Sequence, residues 1–416
     1  MSQLVFLTFF LGLVSGPQTV SLSASPDIRT VAIFLDSQKT VTLQPPFTGT
    51  IDLGNRLVPR QLEAVGYDGK GNELARTTQV LNVPHPPAEA TILLSNGNRR
   101  AEIRWMEKAH DAPSEVLLDV DGARVPLDNK LQADLPALDP AKPHVIEAEI
   151  HFPNGAVARH DVTIAGGSYS SAVDAELTPV VVKDVAQPEK LGKCFNARVS
   201  AVEKARALVV VVKDPDPRLI LRNFAHEYLY PDWPDSELAR DVARLDAHTT
   251  ESLVWPVMQI RTREGNPTVD VYDSNGGIDA HYFGMLWTLT RANRDIPHAA
   301  PRRYADAVAV AGAMAAEQGT RRAVVLLLQR SGKDESQRDA ATVRDYLRSL
   351  GVPLHVWSIG ATKEQRQAWG DVTDVSTQAR LNGAAKQLRE DLASQTVVWL
   401  ATDAWHALRA AANPCH

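Results

Sequence analysis

The run Ala207–Val212 constrains the fold most. Within the stretch RALVVVVKDPDPRLILR (206–222), six consecutive apolar residues precede Lys213. A strand that is apolar at every position has both faces covered, as in a parallel sheet between helix layers. Segments with strand and helix spacing then alternate to the end of 204–403. This alternation predicts an α/β unit with a mainly parallel sheet.

The pattern places further elements along this unit. Strands are predicted where apolar runs are rich in β-branched residues, and helices where apolar residues recur every three to four positions. The predicted strands are 253–261, 268–272, 321–329, 352–360 and 395–403, and the predicted helices are 237–248, 277–293, 302–318, 335–351 and 377–394.

The chain before residue 167 has a different pattern. Short segments rich in Val, Thr and Ile alternate with Pro, Gly, Asn and Asp, which predicts sandwiches of antiparallel strands. Residues 62–76 align with 146–159, and each copy reads as strand, turn and strand. We therefore predict two related immunoglobulin-like modules at 28–85 and 88–166, joined by a stiff proline-rich joint. One larger sandwich with a chance similarity is the alternative.

Three other segments complete the predicted organisation. Residues 1–25 contain the apolar run 4–14, which has the length of a signal-peptide core and is too short to span a bilayer. No Lys or Arg precedes the run, so a hydrophobic first strand or an uncleaved membrane anchor is the alternative. Export predicts a periplasmic, cell-envelope or extracellular location. Residues 167–203 are predicted as an extended linker and 404–416 as a tail.

Composition excludes several classes of function. The net charge is -6, so no general basic field favours nucleic acid. The two cysteines, Cys194 and Cys415, exclude a disulfide-stapled scaffold and a Cys-based zinc site, and leave open whether they pair. We find no GxSxG elbow, no HExxH and no nucleophile with a paired base, so we predict that the chain is not an enzyme.

Two carboxylates follow the buried run, at the end of a strand where open α/β sheets bind ligands. Asp214 and Asp216 carry hard oxygen ligands of the kind that Mg²⁺ and Ca²⁺ prefer. However, Pro215 and Pro217 remove two N–H groups, and Lys213 and Arg218 bring positive charge to the same place. We interpret the loop as a solvated turn, with a metal site as the alternative.

Two more loops are candidates. Asn275–Gly284 has a Gly pair before a predicted helix, with Ile278 and Asp279 at its start. Such a helix start can receive an anion, although a plain helix start with an acidic first turn explains it more simply. Gln329 and Arg330 end the second buried strand, and the glycine spacing of a phosphate loop is missing there.

Four stretches support a resemblance to a known family. They are the run 206–212, the helix and strand in YADAVAVAGAMAAEQGTRRAVVLLL (304–328), the strand 352–360 and the ending 381–403. The α/β half resembles a von Willebrand factor type A domain. The whole chain is similar to exported proteins of Acidobacteria in which such a domain follows β-rich modules. The resemblance implies a doubly wound, Rossmann-like fold for 204–403.

That family's metal-ion-dependent adhesion site uses an Asp-x-Ser-x-Ser loop, a Thr and a further Asp. This chain keeps Asp214, but Asp216 and Arg218 stand where the two Ser are expected. Ile278 stands at the expected Thr, and Gln329 or Arg330 at the expected Asp. The resemblance therefore implies the scaffold, while the residues predict a degenerate site without a metal cofactor.

These observations lead to a functional hypothesis. We expect a non-catalytic, exported interaction or scaffold protein that docks other proteins, as a subunit of an envelope assembly. Any membrane contact would run through the N-terminal segment alone. The alternative is a Mg²⁺- or Ca²⁺-dependent adhesion protein with Asp214, Asp216 and Asp273 as ligands. The predicted partner-binding residues are Asp214, Asp216, Arg218, Ile278, Asp279, Gln329 and Arg330.

Overall fold

A computed structural model divides the chain into two compact units, Met1–Asn55 with Arg60–Asp174 and Arg56–Pro59 with Ala175–His416. The residues that it describes are 3–8, 10, 12–83, 88–96, 99–107, 112–138, 144–153, 157–164, 177–183, 198–216, 243–246, 248–263, 266–270, 274–279, 285–291, 296–297, 300–317, 319–329 and 334–401.

The first unit begins with a two-sheet β-sandwich. Its sheets have the strand orders β1-β2-β5 and β4-β3-β6-β7, and every neighbouring pair is antiparallel. Fully buried residues from both sheets, such as Val20, Ile33 and Leu62, form one core. The strands are β1 Leu4–Phe6, β2 Pro17–Ala24, β3 Thr30–Leu35, β4 Gln38–Leu43, β5 Thr48–Asp52, β6 Arg60–Tyr67 and β7 Glu73–Leu81.

A second sandwich repeats the larger sheet. Its order β11-β10-β13-β14 matches β4-β3-β6-β7, so the repeat found in the sequence corresponds to equivalent hairpins. Ala64 and Ala148 are buried at matching positions of β6 and β13. The other sheet has the order β12-β9-β8. The strands are β8 Ala88–Ser95, β9 Arg100–Glu107, β10 Glu115–Val120, β11 Ala123–Arg124, β12 Gln132–Asp134, β13 His144–His151 and β14 Val157–Ile164.

The N-terminal segment is part of the first sandwich in this structure. β1 pairs with β2, and Leu4 and Phe6 lie in the core. The predicted start of the module at residue 28 therefore omits two strands. Gln3 also reaches β8, where it donates to the carbonyl of Ile92 and accepts from the N–H of Leu94. Export remains a prediction.

The second unit contains the predicted parallel sheet. Its order is β21-β18-β17-β22-β23-β24, and only β21 runs antiparallel to its neighbour. Every residue of the central strand β17 is buried, as the apolar run predicts. The strands are β17 Ala207–Lys213, β18 Thr249–Val254, β21 Ser274–Asp279, β22 Arg321–Gln329, β23 Leu354–Ile359 and β24 Val372–Asp374, and β19 Gln259–Arg263 forms a separate hairpin with β20 Asn266–Asp270.

Helices cover this sheet. The helix predicted at 302–318 is α2, and those predicted at 335–351 and 377–394 are α3 and α5, which begin at the N-caps Asp339 and Thr377. The capping box of Thr362 and Gln365 starts a helix, α4, that the periodicity did not predict. The helices are α1 Met285–Thr290, α2 Tyr304–Glu317, α3 Ala340–Ser349, α4 Lys363–Trp369 and α5 Gln378–Ser394. Among the described helices, none is long and apolar enough to cross a membrane.

Four predictions for this unit were wrong in whole or in part. The linker 167–203 contains two strands, β15 Leu177–Lys183 and β16 Arg198–Glu203. They pair on either side of β25 Gln395–Ala401, so the last predicted strand belongs to an antiparallel sheet rather than to the parallel one. The helix predicted at 277–293 begins as β21, because pairing with β18 overrides its local sequence pattern. Of the helix predicted at 237–248, residues 243–246 are described and are not helical.

Candidate functional site

The carboxyl edge of the parallel sheet carries a buried ion pair. Asp214 follows β17 directly, and its carboxylate is engaged on both oxygens. Arg302 Nε donates to Oδ2 at 2.8 Å, and the Tyr304 hydroxyl donates to the same oxygen at 3.2 Å. The backbone N–H of Asp216 donates to Oδ1 at 2.8 Å. The side chains of Asp214 and Arg302 are each only 9% exposed, so solvent screens this pair little.

The loop before α2 brings Arg302 to this position. The N–H of Glu335 donates to the Arg302 carbonyl at 2.7 Å, and Arg302 Nη1 donates to the Ala300 carbonyl at 2.7 Å. The carboxylate of Asp334 accepts from the N–H of Tyr304 at 3.1 Å. The loops that follow β17 and β22 therefore contact the start of α2. The Arg302 guanidinium is held at two nitrogens, Nε by Asp214 and Nη1 by the Ala300 carbonyl.

Lys213, the last residue of β17, is a second buried cation here. It is fully buried, and its Nζ donates to the carbonyls of Asp214 at 2.9 Å and Arg291 at 2.6 Å. Nζ also lies 4.8 Å from the ring centroid of Trp255. Burial lowers the pKa of Lys213 to about 7, although the carboxylates of Asp214 and Asp216 oppose that shift. Lys213 thus connects the end of β17 to the end of α1.

Two predicted site residues lie away from this edge. Ile278 and Asp279 belong to β21, which runs antiparallel to β18. Ser274, at the start of β21, pairs with Val254 at the carboxyl end of β18, whereas Ile278 pairs with Glu251. The prediction that Ile278 and Asp279 open a helix at the ligand edge is therefore wrong.

The remaining predicted residues divide into two groups. Gln329 ends β22 at the carboxyl edge, is buried, and accepts a hydrogen bond from Gln365 Nε2 on its carbonyl at 3.2 Å. The other predicted residues, Arg218, Asp273 and Arg330, lie outside the described residues, and so do Cys194 and Cys415, whose pairing was left open.

The geometry disfavours a divalent ion at Asp214. Mg²⁺ and Ca²⁺ need several oxygen ligands with free lone pairs. Asp214 already receives a guanidinium, a hydroxyl and a backbone N–H. In the described part of the chain, no group of three His, Cys, Asp or Glu side chains is placed to hold a metal.

Sequence reasoning missed the two residues that define this site. Arg302 and Tyr304 appear in the sequence only as the start of a predicted helix. A positive charge near a helix N-terminus is unfavourable unless a carboxylate compensates it. Arg302 and Arg303 just before α2 were therefore a detectable signal that an acidic partner lies close in space.

Comparisons with known proteins give distant similarity only. No family model and no curated protein matches the chain. Fibronectin(III)-like modules of Clostridium thermocellum CbhA are 10% identical over 19% of this chain and 93% of theirs, with a TM-score of 0.18. The central fibronectin-III array of RIM-binding protein is 11% identical over 44% and 74%, with a TM-score of 0.19. Human COPII-coat protein Sec24c is 10% identical over 80% and 46%, with a TM-score of 0.29.

Proposed function

We propose that the chain is a non-catalytic, exported protein-binding subunit whose α/β unit is a metal-free relative of von Willebrand factor type A domains. The strand order supports this proposal. Numbered by appearance, the six strands lie in the order third, second, first, fourth, fifth and sixth. This is the order of doubly wound sheets, which bind ligands at the carboxyl ends of their strands.

The observation that carries the proposal is the Arg302–Asp214 pair. In the related family a divalent ion rests on the first Asp of the loop, and Asp214 is its counterpart here. Two unit charges 4 Å apart interact by about 4 kcal/mol near a protein surface, and a divalent ion beside a guanidinium doubles that repulsion. Arg302 thus supplies at Asp214 the positive charge that the metal ion supplies in that family. We therefore expect no metal coordination at Asp214.

What remains at this edge is a contact surface. Pro301, Asp334 and Glu335 are exposed around the buried pair. Loops held by a rigid scaffold are common binding elements, because their exposed side chains differ freely while the scaffold keeps them in place. This edge therefore suits a protein partner within a larger envelope assembly.

Site-specific photo-crosslinking in the native envelope tests the proposal. A crosslinking amino acid replaces Glu335 at the carboxyl edge, and a matched control replaces Arg206, which is exposed at the opposite end of β17. We expect a discrete crosslinked protein from position 335 and none from position 206. Equal labelling at the two positions, or no product at either, would contradict a partner surface at this edge.

A further inference from the structure

A glutamate lies in the apolar core on one face of the parallel sheet. Glu251, in the middle of β18, is 1% exposed. Its neighbour in register on β17 is Val209, and Leu253 lies two positions along the same face of β18. Val209 and Leu253 belong to the apolar cluster that includes Met285 and Leu289 of α1. Glu251 is thus a carboxyl group at the contact between the sheet and α1.

The carboxyl group is only half satisfied. The hydroxyl of Thr288, on α1, donates to Glu251 Oε2, and within the described residues Oε1 has no hydrogen-bond partner. An ionised carboxylate in such a place lacks the donors that it would have in water. Burial raises the pKa of Glu251 to about 7, and the Thr288 hydrogen bond opposes that rise only in part.

The charged groups described near Glu251 bind other groups or lie elsewhere on the sheet. Lys213, farther along the same face of β17, donates to two backbone carbonyls. Arg291 follows α1, and its carbonyl is one of the two that Lys213 binds. Asp279 of β21 pairs through its backbone with Thr250. In the described part of the chain, no ion pair to Glu251 offsets its burial.

We propose that Glu251 is a proton-dependent latch for α1. In its protonated form it holds the helix against the sheet, and loss of the proton loosens the helix. The carbonyl of Arg291, directly after α1, accepts a hydrogen bond from Lys213 at the carboxyl edge. Loosening α1 therefore also weakens this contact between the helix and the carboxyl edge.

The direction of the pH effect follows from linkage. The pKa of Glu251 is higher in the folded protein than its unfolded value of 4.5. Its protonation therefore stabilises the packed position of α1 fully below pH 4.5. That stabilisation is lost between pH 4.5 and about 7, and above pH 7 it changes no further. Within the window, the equilibrium constant for opening rises up to about tenfold per pH unit.

Hydrogen exchange of α1 in the full chain tests the latch. Protection factors, corrected for the intrinsic pH dependence of exchange, are measured at pH 5, 6, 7 and 8. In wild type we expect protection of α1 to fall up to about tenfold per unit from pH 5 to 7. Above about pH 7 the titration of Lys213, which binds the carbonyl of Arg291, adds an opposite change in wild type and variant alike. Glu251→Gln keeps the side-chain size without the ionisable proton, so its profile should be flat from pH 5 to 7. Glu390→Gln, at a side chain that is 65% exposed, is the matched control and should follow wild type.

Either of two results would overturn the latch. One is protection of α1 in wild type that does not change with pH, and the other is a Glu251→Gln profile that follows wild type. If Glu251→Gln fails to fold, the infrared spectrum of wild type decides instead. A protonated-carboxyl band present at pH 6 and lost by pH 8 supports the latch, and its absence at pH 6 contradicts it.

Discussion

Two aspartates of the second unit have basic partners, and one of these pairs is buried while the other is partly exposed. Asp214 and Arg302 have side chains that are each 9% exposed, and the pair lies between the ends of β17 and α2. Asp391 of α5 accepts from His355 of β23 at 3.0 Å and pairs with Lys183 of β15, and these side chains are 18%, 20% and 48% exposed. Breaking a buried pair leaves a charge that water cannot reach, whereas the charges of a partly exposed pair can still be hydrated after the pair breaks.

The comparison shows what each pair does. Burial on its own would raise the pKa of Asp391, but the hydrogen bonds from His355 and Lys183 outweigh it and hold the pKa below its ordinary value. Asp391 therefore fastens β15 to the core with a small, pH-dependent contribution. Asp214 and Arg302 instead fix the shape of the carboxyl edge.

The largest expected effect tests the buried pair. Arg302→Met keeps the length of the side chain but leaves the Asp214 carboxylate buried without its cation. We expect a loss of about 3–5 kcal/mol in the free energy of unfolding, measured by urea denaturation at pH 7. Arg348→Met, at a side chain that is 76% exposed, should change stability by less than about 0.5 kcal/mol. Equal losses of stability in Arg302→Met and Arg348→Met would contradict the expected difference between buried and exposed ion pairs.

Lys213 adds a third case to the comparison, a buried cation whose ammonium group donates to backbone carbonyls and not to a carboxylate. In Lys213→Met two buried carbonyls lose their donor, so we expect a loss of about 1–3 kcal/mol at pH 7. Because the folded pKa is about 7 and the unfolded value is 10.5, wild type gains stability as the pH rises between them. The gap between wild type and Lys213→Met should therefore widen from pH 7 to pH 9 in thermal melts. A constant gap would contradict the lowered pKa.

The smallest effect belongs to the partly exposed pair of Asp391 and Lys183. Asp391→Asn should lower stability by at most about 1 kcal/mol at pH 7. Since the folded pKa of Asp391 lies below 3.8, its contribution is present above pH 3.8 and is lost as the pH falls through the folded value. Denaturation curves at pH 7, 5 and 3 should show that the difference in unfolding free energy between wild type and Asp391→Asn becomes smaller toward the lowest pH. A gap that stays unchanged from pH 7 to pH 3 would contradict this.

Local sequence signals predicted the elements that depend on local chemistry. The repeat around Ala64 and Ala148 corresponds to two equivalent sheets, and the helices α3 and α5, which follow the caps Asp339 and Thr377, lie within the predicted ranges 335–351 and 377–394. The turn DGKGN joins β6 to β7, with Asp68 accepting from the N–H groups of Lys70 and Asn72. Such features depend on residues a few positions apart, so the sequence displays them directly.

The site was less predictable because its residues are distant in sequence. Arg302 lies 88 positions from Asp214, and no local pattern connects them. The assignment of Ile278 to a helix failed because pairing with Glu251 decides that segment. The two edge strands beside β25 were missed for the same reason, since their partner follows about 200 residues later.

Isothermal titration calorimetry with Mg²⁺, Mn²⁺ and Ca²⁺ tests the central claim most directly. The full chain is titrated at pH 7 beside its Asp214→Ala variant. Since Arg302 occupies the cation position at Asp214, we expect no saturable heat with any of the three ions. Micromolar binding in wild type that disappears in Asp214→Ala would contradict the account.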